Sequence, residues 1–304
     1  MKSFTFLSTD GSSKINCQKW LPETEPVGIV QIAHGVSEHI ERYAEFAEHL
    51  TSQGYIVVAN DHLGHGKSAS SHKGFFAEKN GWNLVVDDCC KLSILTKKEH
   101  PSLPYFLFGH SMGSFVARTF IIKYPDELDG VILSGTGQQA PALISSGSLL
   151  AKMVISRKGA SYQSPLIDKI AYGSYNKTYP NAKTKFDWLS TDEEVVSKYI
   201  EDENCGFLSS AGLFRDMLGG IDFAGRMENI SKMRKSLPVL FIAGNDDPVG
   251  DYGKAVLEVY HRFIKAGMQN ASLKLYAGGR HEMLNEKNKS EVFEDVSAWL
   301  NRLV

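Results

Sequence analysis

Gly109-His110-Ser111-Met112-Gly113 sets a serine between two glycines, after the apolar run 103–108 and before the helix-like run 115–124. Strand, tight turn and helix in that order put the Ser111 hydroxyl at the apex of the turn, beside a helix N-terminus. The chemistry this arrangement serves is nucleophilic attack. Two residues before and after the apex the strand and helix backbones come close, and glycine is the residue that fits. The apex serine holds a strained backbone at a cost of about 1–3 kcal/mol, for which a merely structural serine gives no reason. With 27 glycines in the chain such a pattern also arises by chance, so its weight comes from the strand-turn-helix setting.

A serine hydroxyl is a weak nucleophile and requires a base, itself oriented by a third group. In this chain order the acid and then the histidine follow the serine. Two loops qualify: Gly244-Asn245-Asp246-Asp247-Pro248 after the apolar run 238–243, and Gly278-Gly279-Arg280-His281-Glu282 after 271–276. Both sit at predicted strand C-terminal ends, where open α/β sheets gather their sites. Of ten histidines, His281 has the order and the loop, and is read as the base. For the acid, Asp246 and Asp247 are both eligible; one alone can face His281, and the other is free to cap the turn. The oxyanion of a tetrahedral intermediate calls for backbone donors. The N–H of Met112 is one, and the N–H of Val36 in the His34-Gly35-Val36 loop is the other, with Gly35 letting the backbone turn.

Short strands must carry these loops. Runs 4–7 and 14–20 flank Asp10-Gly11 and read as a hairpin, and 27–33, 55–59, 103–108, 130–133, 238–243 and 271–276 read as further strands. Helical spacing fills 42–51, 82–95, 115–124, 254–265 and 290–303. The alternation predicts an α/β fold: a mostly parallel central sheet with helices on both faces. The stretch 137–225 breaks the rhythm, being rich in Tyr, Lys, Asn and Gly, with helix-like pieces such as 193–200. It reads as an inserted, mainly helical cap over the site, leaving 1–136 and 226–304 as the core; the competing reading is a separate second domain. A cap there excludes water and shapes the substrate site. Within it, 141–155 carries Leu143, Ile144, Leu149, Leu150 and Met153. It reads first as a helix packed on the core, and next as the lining of an acyl pocket or a transient contact with a membrane surface.

Lys and Arg total 33 against 35 Asp and Glu, with no basic stripe, which disfavours a nucleic-acid partner. Cys17, Cys89, Cys90 and Cys205 lack metal-ligand spacing, and neighbours make a strained disulfide, so free thiols in a reducing compartment are expected. No stretch reads as a signal peptide or reaches membrane-span length, so a cytoplasmic location is expected.

With these motifs in place, the chain resembles α/β-hydrolases of the monoacylglycerol lipase and lysophospholipase group. His34-Gly35-Val36-Ser37-Glu38-His39 with Arg42-Tyr43 is similar to that group's oxyanion-loop signature. Asp61-His62-Leu63-Gly64-His65-Gly66-Lys67-Ser68 is similar to its turn after the next strand, with Asp61 structural. Gly109–Gly113 resembles its elbow, Arg280-His281-Glu282 its histidine loop, and Asp187-Trp188-Leu189-Ser190-Thr191-Asp192 a segment of bacterial members. In the acid loop the group's acid stands three residues after the glycine, which by resemblance selects Asp247. The resemblance covers about 27–134 and 237–304. It implies a serine ester hydrolase acting on monoacylglycerol or lysophospholipid-like acyl esters through an acyl-enzyme, with no metal and no cofactor. The rivals are a serine peptidase, amidase or thioesterase on the same fold, with Glu193, Glu194, Glu201 or Glu203 offered to a peptide N-terminus. A non-catalytic hydrolase-fold binding protein is less favoured, because Ser111, Asp247 and His281 are all present.

Overall fold

Five strands are buried at every residue, which is what parallel strands covered on both faces require. The structure, a computed structural model, describes residues 1–69 and 72–304. Its strands are β1 Lys2–Leu7, β2 Lys14–Trp20, β3 Gly28–Ala33, β4 Tyr55–Asn60, β5 Tyr105–His110, β6 Gly130–Ser134, β7 Val239–Gly244 and β8 Ala271–Tyr276. They form one eight-stranded sheet in the order β1-β2-β4-β3-β5-β6-β7-β8. The β1–β2 hairpin is antiparallel, as is β2 to β4, and from β4 to β8 all pairs are parallel.

The helices are α1 Ala44–Ser52, α2 Gly81–Glu99, α3 Met112–Lys123, α4 Pro141–Lys158, α5 Pro165–Tyr172, α6 Glu193–Glu201, α7 Ala211–Gly225, α8 Met227–Ile230, α9 Lys254–Lys265 and α10 Lys289–Leu300. Phe46 of α1 with Phe293 and Trp299 of α10 pack on one face of the sheet, beside Ile32, Phe106 and Ile242. Val86 of α2, Val116 of α3 and Phe263 of α9 pack on the other. Because the central strands are parallel, the loops after β3, β5, β7 and β8 leave the same edge of the sheet. That edge holds His34–Val36, Ser111, Asp247 and His281.

Helices α4–α8 lie between β6 and β7 in sequence, α4 against α7, and α7 along α2 and α3. Arg118 of α3 is wholly buried and holds both ends of the 137–225 stretch. It donates to the Gly137 carbonyl (2.8 Å) and the Gln138 Oε1 (3.0 Å) at one end, and to the Ala224 carbonyl (3.1 Å) at the other. A cation suits the last turn of α7, whose carbonyls carry the negative end of the helix dipole.

Two boundaries differ from expectation at the serine. β5 begins at Tyr105 and runs to His110, because His110 still pairs with Ser134 of β6. α3 starts at Met112 rather than 115, so no slack separates strand, apex and helix. The helix expected over 42–51 begins at Ala44, after a 3₁₀ turn Ile40–Tyr43.

Candidate active site

Ser111 sits at φ 51°, ψ −118°, a left-handed backbone that is unfavourable for any residue with a Cβ. The surroundings impose it. The Ser111 N–H donates to the Ser134 carbonyl (2.9 Å), and the Ser111 carbonyl accepts from Ser114 N–H (2.9 Å) and Oγ (2.6 Å). A Cβ on Gly109 would collide with the Gly113 carbonyl, so the first glycine admits the helix to the strand. A Cβ on Gly113 would collide with the Ala33 carbonyl, so the second glycine brings α3 against the end of β3 and the loop that follows.

His281 Nδ1 lies 2.9 Å from Asp247 Oδ2, and both residues are buried. Asp247 Oδ1 accepts the Val249 N–H at 2.8 Å, so both carboxylate oxygens are fixed. Asp246 is turned outward and exposed; its own N–H donates to the Gly279 carbonyl (2.9 Å). The structure thus brings Asp247, not Asp246, to the imidazole. His281 Nε2 is buried without a hydrogen-bond partner among the described residues, and the ring lines the same cavity as Ser111. Burial disfavours the imidazolium. The charge and hydrogen bond of Asp247, with the charges of Glu282 and Glu38, outweigh burial and raise the His281 pKa above its ordinary value.

The loop after β3 is set by His34. The His62 N–H donates to His34 Nε2 (2.9 Å), so the ring proton is on Nδ1, which donates to the Gly35 carbonyl (2.7 Å). In a trans peptide the N–H points opposite the carbonyl, so holding the Gly35 oxygen aims the Val36 N–H the other way. The preceding peptide is held too: the Gly35 N–H donates to Glu38 Oε1 at 2.5 Å. Among the described residues neither the Val36 nor the Met112 N–H has an acceptor, and both residues line the cavity. These are the two donors expected from sequence.

A buried charge network ties this loop to His281. Glu38 accepts from Tyr43 Oη (2.8 Å) and from Arg42 Nη1 (2.7 Å), and Arg42 forks onto Glu282, the residue after His281, at 2.7 and 2.6 Å. The Tyr199 ring of α6 lies 4.8 Å from the Arg42 guanidinium, and Tyr199 Oη donates to the Ser37 carbonyl at 2.9 Å. Sequence reasoning quoted Glu38, Arg42 and Glu282 within motifs but gave them no role. The available signal was the four-residue spacing of Glu38 and Arg42, with an acid directly beside the candidate base.

The cavity holds about 1100 Å³. Ile144, Leu150, Phe214, Met217, Leu218 and Ile221 give it an apolar wall, and Asp251, Lys254, Glu258 and Arg262 a polar end. Glu193, Glu194, Glu201 and Glu203 are not in its lining; Glu193 pairs with Lys183 and Glu194 with Lys198 on the surface. All four cysteines are free and buried. The ligand atoms of His39, Asp202 and Cys205 lie within 4.8 Å of one another. Asp202 is already engaged there, by His39 Nε2 on Oδ2 (2.8 Å) and the Asn204 N–H on Oδ1 (2.8 Å), which joins the loop after β3 to the end of α6.

A family model described as serine aminopeptidase, S33, matches residues 24–288. The chain is 29% identical over 292 residues to a monoacylglycerol lipase of Mycolicibacterium smegmatis, covering 95% of this chain and 94% of that one. It is 25% identical over 291 residues to the monoglyceride lipase of Homo sapiens, covering 94% and 86%. The crystal structure of a thermostable carboxyl esterase from Bacillus coagulans in complex with glycerol matches with a TM-score of 0.93 at 30% identity, covering 100% of this chain and 99% of that one. The fold, the matched span and these relatives agree: the chain belongs to the serine aminopeptidase S33 family of α/β-hydrolases, in its monoacylglycerol lipase-like group.

Proposed function

We propose that Ser111, His281 and Asp247 act as a catalytic triad that cleaves acyl esters of the monoacylglycerol or lysophospholipid kind through an acyl-enzyme. The chain is a carboxylic ester hydrolase. The observation that carries the finer reading is the buried His281–Asp247 pair at 2.9 Å, whose free Nε2 lines one cavity with a strained serine. In the first step His281 Nε2 takes the Ser111 proton as Oγ attacks the acyl carbonyl. Asp247 keeps the proton on Nδ1 and stabilises the imidazolium. The Val36 and Met112 N–H groups receive the oxyanion, each contributing about 10²–10³-fold to the rate. His281 then protonates the departing alcohol, and water, activated by the same nitrogen, releases the fatty acid.

The stretch 137–225 serves as the cap. Its helices α4 and α7 supply the apolar wall suited to an acyl chain, and the polar end suits a head group. Leu143 and Leu149 of α4 are 62% and 60% exposed, with Leu166 and Ile170 of α5 also exposed. That face contacts a lipid surface transiently in this reading. Leu149→Ser with Leu166→Ser, both outside the cavity lining, lowers turnover of vesicle-borne monoacylglycerol and spares a soluble acetate ester; equal rates on vesicles would remove the lipid contact.

The family's description favours one rival, an aminopeptidase, for which Asp168 and Asp251 in the cavity wall would take the peptide N-terminus. The deciding assay is the initial rate on a medium-chain monoacylglycerol, with aminoacyl-naphthylamides in parallel. Ser111→Ala is expected to lose at least about 10⁴-fold in kcat on the ester. Ester turnover that survives the substitution overturns the triad, and turnover of the naphthylamide alone moves the substrate to peptides.

A further inference from the structure

The segment Asp187–Asp192 takes no part in the steps above, yet residues 187–191 are bound along their length to the histidine loop. The Glu282 N–H donates to the Leu189 carbonyl (2.8 Å), and the His281 N–H to the Trp188 carbonyl (3.4 Å). Ser190 Oγ donates to the Asn285 carbonyl (2.9 Å). Glu286 accepts the Thr191 N–H (3.0 Å), the Thr191 hydroxyl and the Arg280 N–H (2.8 Å), so one carboxylate joins both segments. Arg280 spans the join: its Nη1 donates to the carbonyls of Asp187 (2.6 Å) and Ser190 (3.0 Å), on either side of Trp188. Its guanidinium also lies 4.2 Å from the Tyr179 ring.

What this join delivers is the Trp188 indole, whose ring centroid lies 5.2 Å from that of His281. The Tyr175 ring packs edge-on against the indole at 4.9 Å, and the Trp188 main-chain N–H donates to Asn176 Oδ1 at 2.9 Å. The His110 ring lies 4.8 Å from His281. The Asp247 bond fixes only Nδ1. It leaves the imidazole free to swing about that atom, and the direction of Nε2 then depends on the rings packed against it. Arg280 is absent from the cavity lining, whereas Trp188 is in it.

We infer that the strap 187–191 is a fixed wall of the catalytic centre, and that Arg280 and Trp188 are positioning residues for His281. The cap is then two parts with different duties: α4, α5 and α7 face the acyl chain, while the strap orients the base. The inference rests on the proposed role of His281. It separates from a substrate-binding role by chain length. A misplaced base slows every ester alike, and a damaged acyl site slows only long ones.

The test is kcat and KM of Arg280→Gln and Arg280→Lys on p-nitrophenyl acetate, too short to reach the α4 and α7 wall, and on p-nitrophenyl decanoate. Arg280→Gln is expected to lose about 10–100-fold in kcat on both esters, the scale of a misplacement of about 1 Å, with KM little changed. Fluorophosphonate labelling of Ser111 slows in proportion, and Arg280→Lys, which retains one donor to the strap, recovers part of the rate. Loss confined to the decanoate, or no loss on either ester, overturns the inference. If Arg280→Gln does not fold, Trp188→Leu, which keeps every main-chain bond of the strap, carries the same comparison on acetate. Ser111→Ala runs alongside. Acetate turnover that persists in it overturns the triad itself, whereas a dead Ser111→Ala beside an unimpaired Arg280→Gln overturns only the strap.

Discussion

His281 titrates under opposing influences, and in the proposed mechanism their balance sets the pH range of activity. Burial lowers its pKa, while Asp247, Glu282 and Glu38 raise it further than burial lowers it. As the proposed base, His281 works only when neutral. A raised pKa therefore puts the acid limb of kcat/KM above the ordinary histidine value of about 6.5. In Asp247→Asn the largest raising influence is gone and burial remains, so the limb is expected to move acidic while kcat falls about 10⁴-fold. Asp246→Asn, whose carboxylate is exposed, should leave both unchanged; a pH–rate profile of the three proteins decides, and an unmoved limb in Asp247→Asn would contradict the pairing. That Ser111 and His281 come together was legible in the sequence because the proposed chemistry restricts residue type and chain order. The acid was not legible from type, since Asp246 and Asp247 are neighbours in one turn, and only packing turns one inward. The roles of His34 and Glu38 were also hidden, because each acts through a backbone peptide rather than on a substrate.

The elements meet at points where no side chain fits. Gly113 lets α3 close on the end of β3, and Gly244, the last residue of β7, does the same for the acid and histidine loops. A Cβ on Gly244 would collide with the carbonyls of Gly279 and Arg280. Both partners are backbone and cannot swing aside, so Gly244→Ala must push the Asp247 loop from the His281 loop. The expected cost is about 1–3 kcal/mol of stability from overpacking and about 10²-fold in kcat from the displaced pair. Gly219 of α7 has open space at its Cβ position, so Gly219→Ala should be neutral or add up to about 1 kcal/mol of helix stability. Urea unfolding and kcat measured on both variants check this; full activity in Gly244→Ala would mean the loops have slack. The alternating core was legible because each helix buries one face on a sheet. Within 137–225 the pieces read over 141–155 and 193–200 are α4 and α6, but which face of α4 is buried was not legible. Ile144 and Ala151 are buried there, while Leu143, Leu149 and Met153 are exposed, so apolar residues occupy more than one face and the helical period is blurred.

Taken over the whole molecule, histidines kept neutral by burial link the fold to acid. His34, His62 and His65 cluster at the loop after β3, with ring centroids 4.2 Å apart for His34–His62 and 5.2 Å for His34–His65. Among the described residues, both ring nitrogens of His62 and the Nε2 of His65 lack hydrogen-bond partners. Burial pushes the pKa of His62 down to about 3 and those of His65 and His110 to about 4. The unfolded chain protonates these groups near 6.5, so below that pH it binds protons that the folded chain refuses, and stability falls as pH falls. One histidine moved from 6.5 to about 4 accounts for a loss of about 1.3 kcal/mol between pH 7.5 and 5.5. His281 works the other way: its raised pKa contributes stability that grows as pH falls from 7.5 and is fully present only below 6.5, but it does so equally in wild type and in a variant at another histidine and cancels in their difference. Unfolding free energies of wild type and His65→Gln at pH 7.5 and 5.5 should therefore differ in pH dependence by about that amount, the variant being less acid-sensitive. The same pH drop also protonates the proposed base, but that loss is a titration and returns at once on raising the pH. Acid unfolding returns only as the chain refolds, so a pH jump from 5.5 to 7.5 followed by rate measurements separates the two. If His65→Gln shows the wild-type dependence, the buried cluster is protonated in the folded state, and the neutral His34 tautomer that aims the Val36 N–H falls with it.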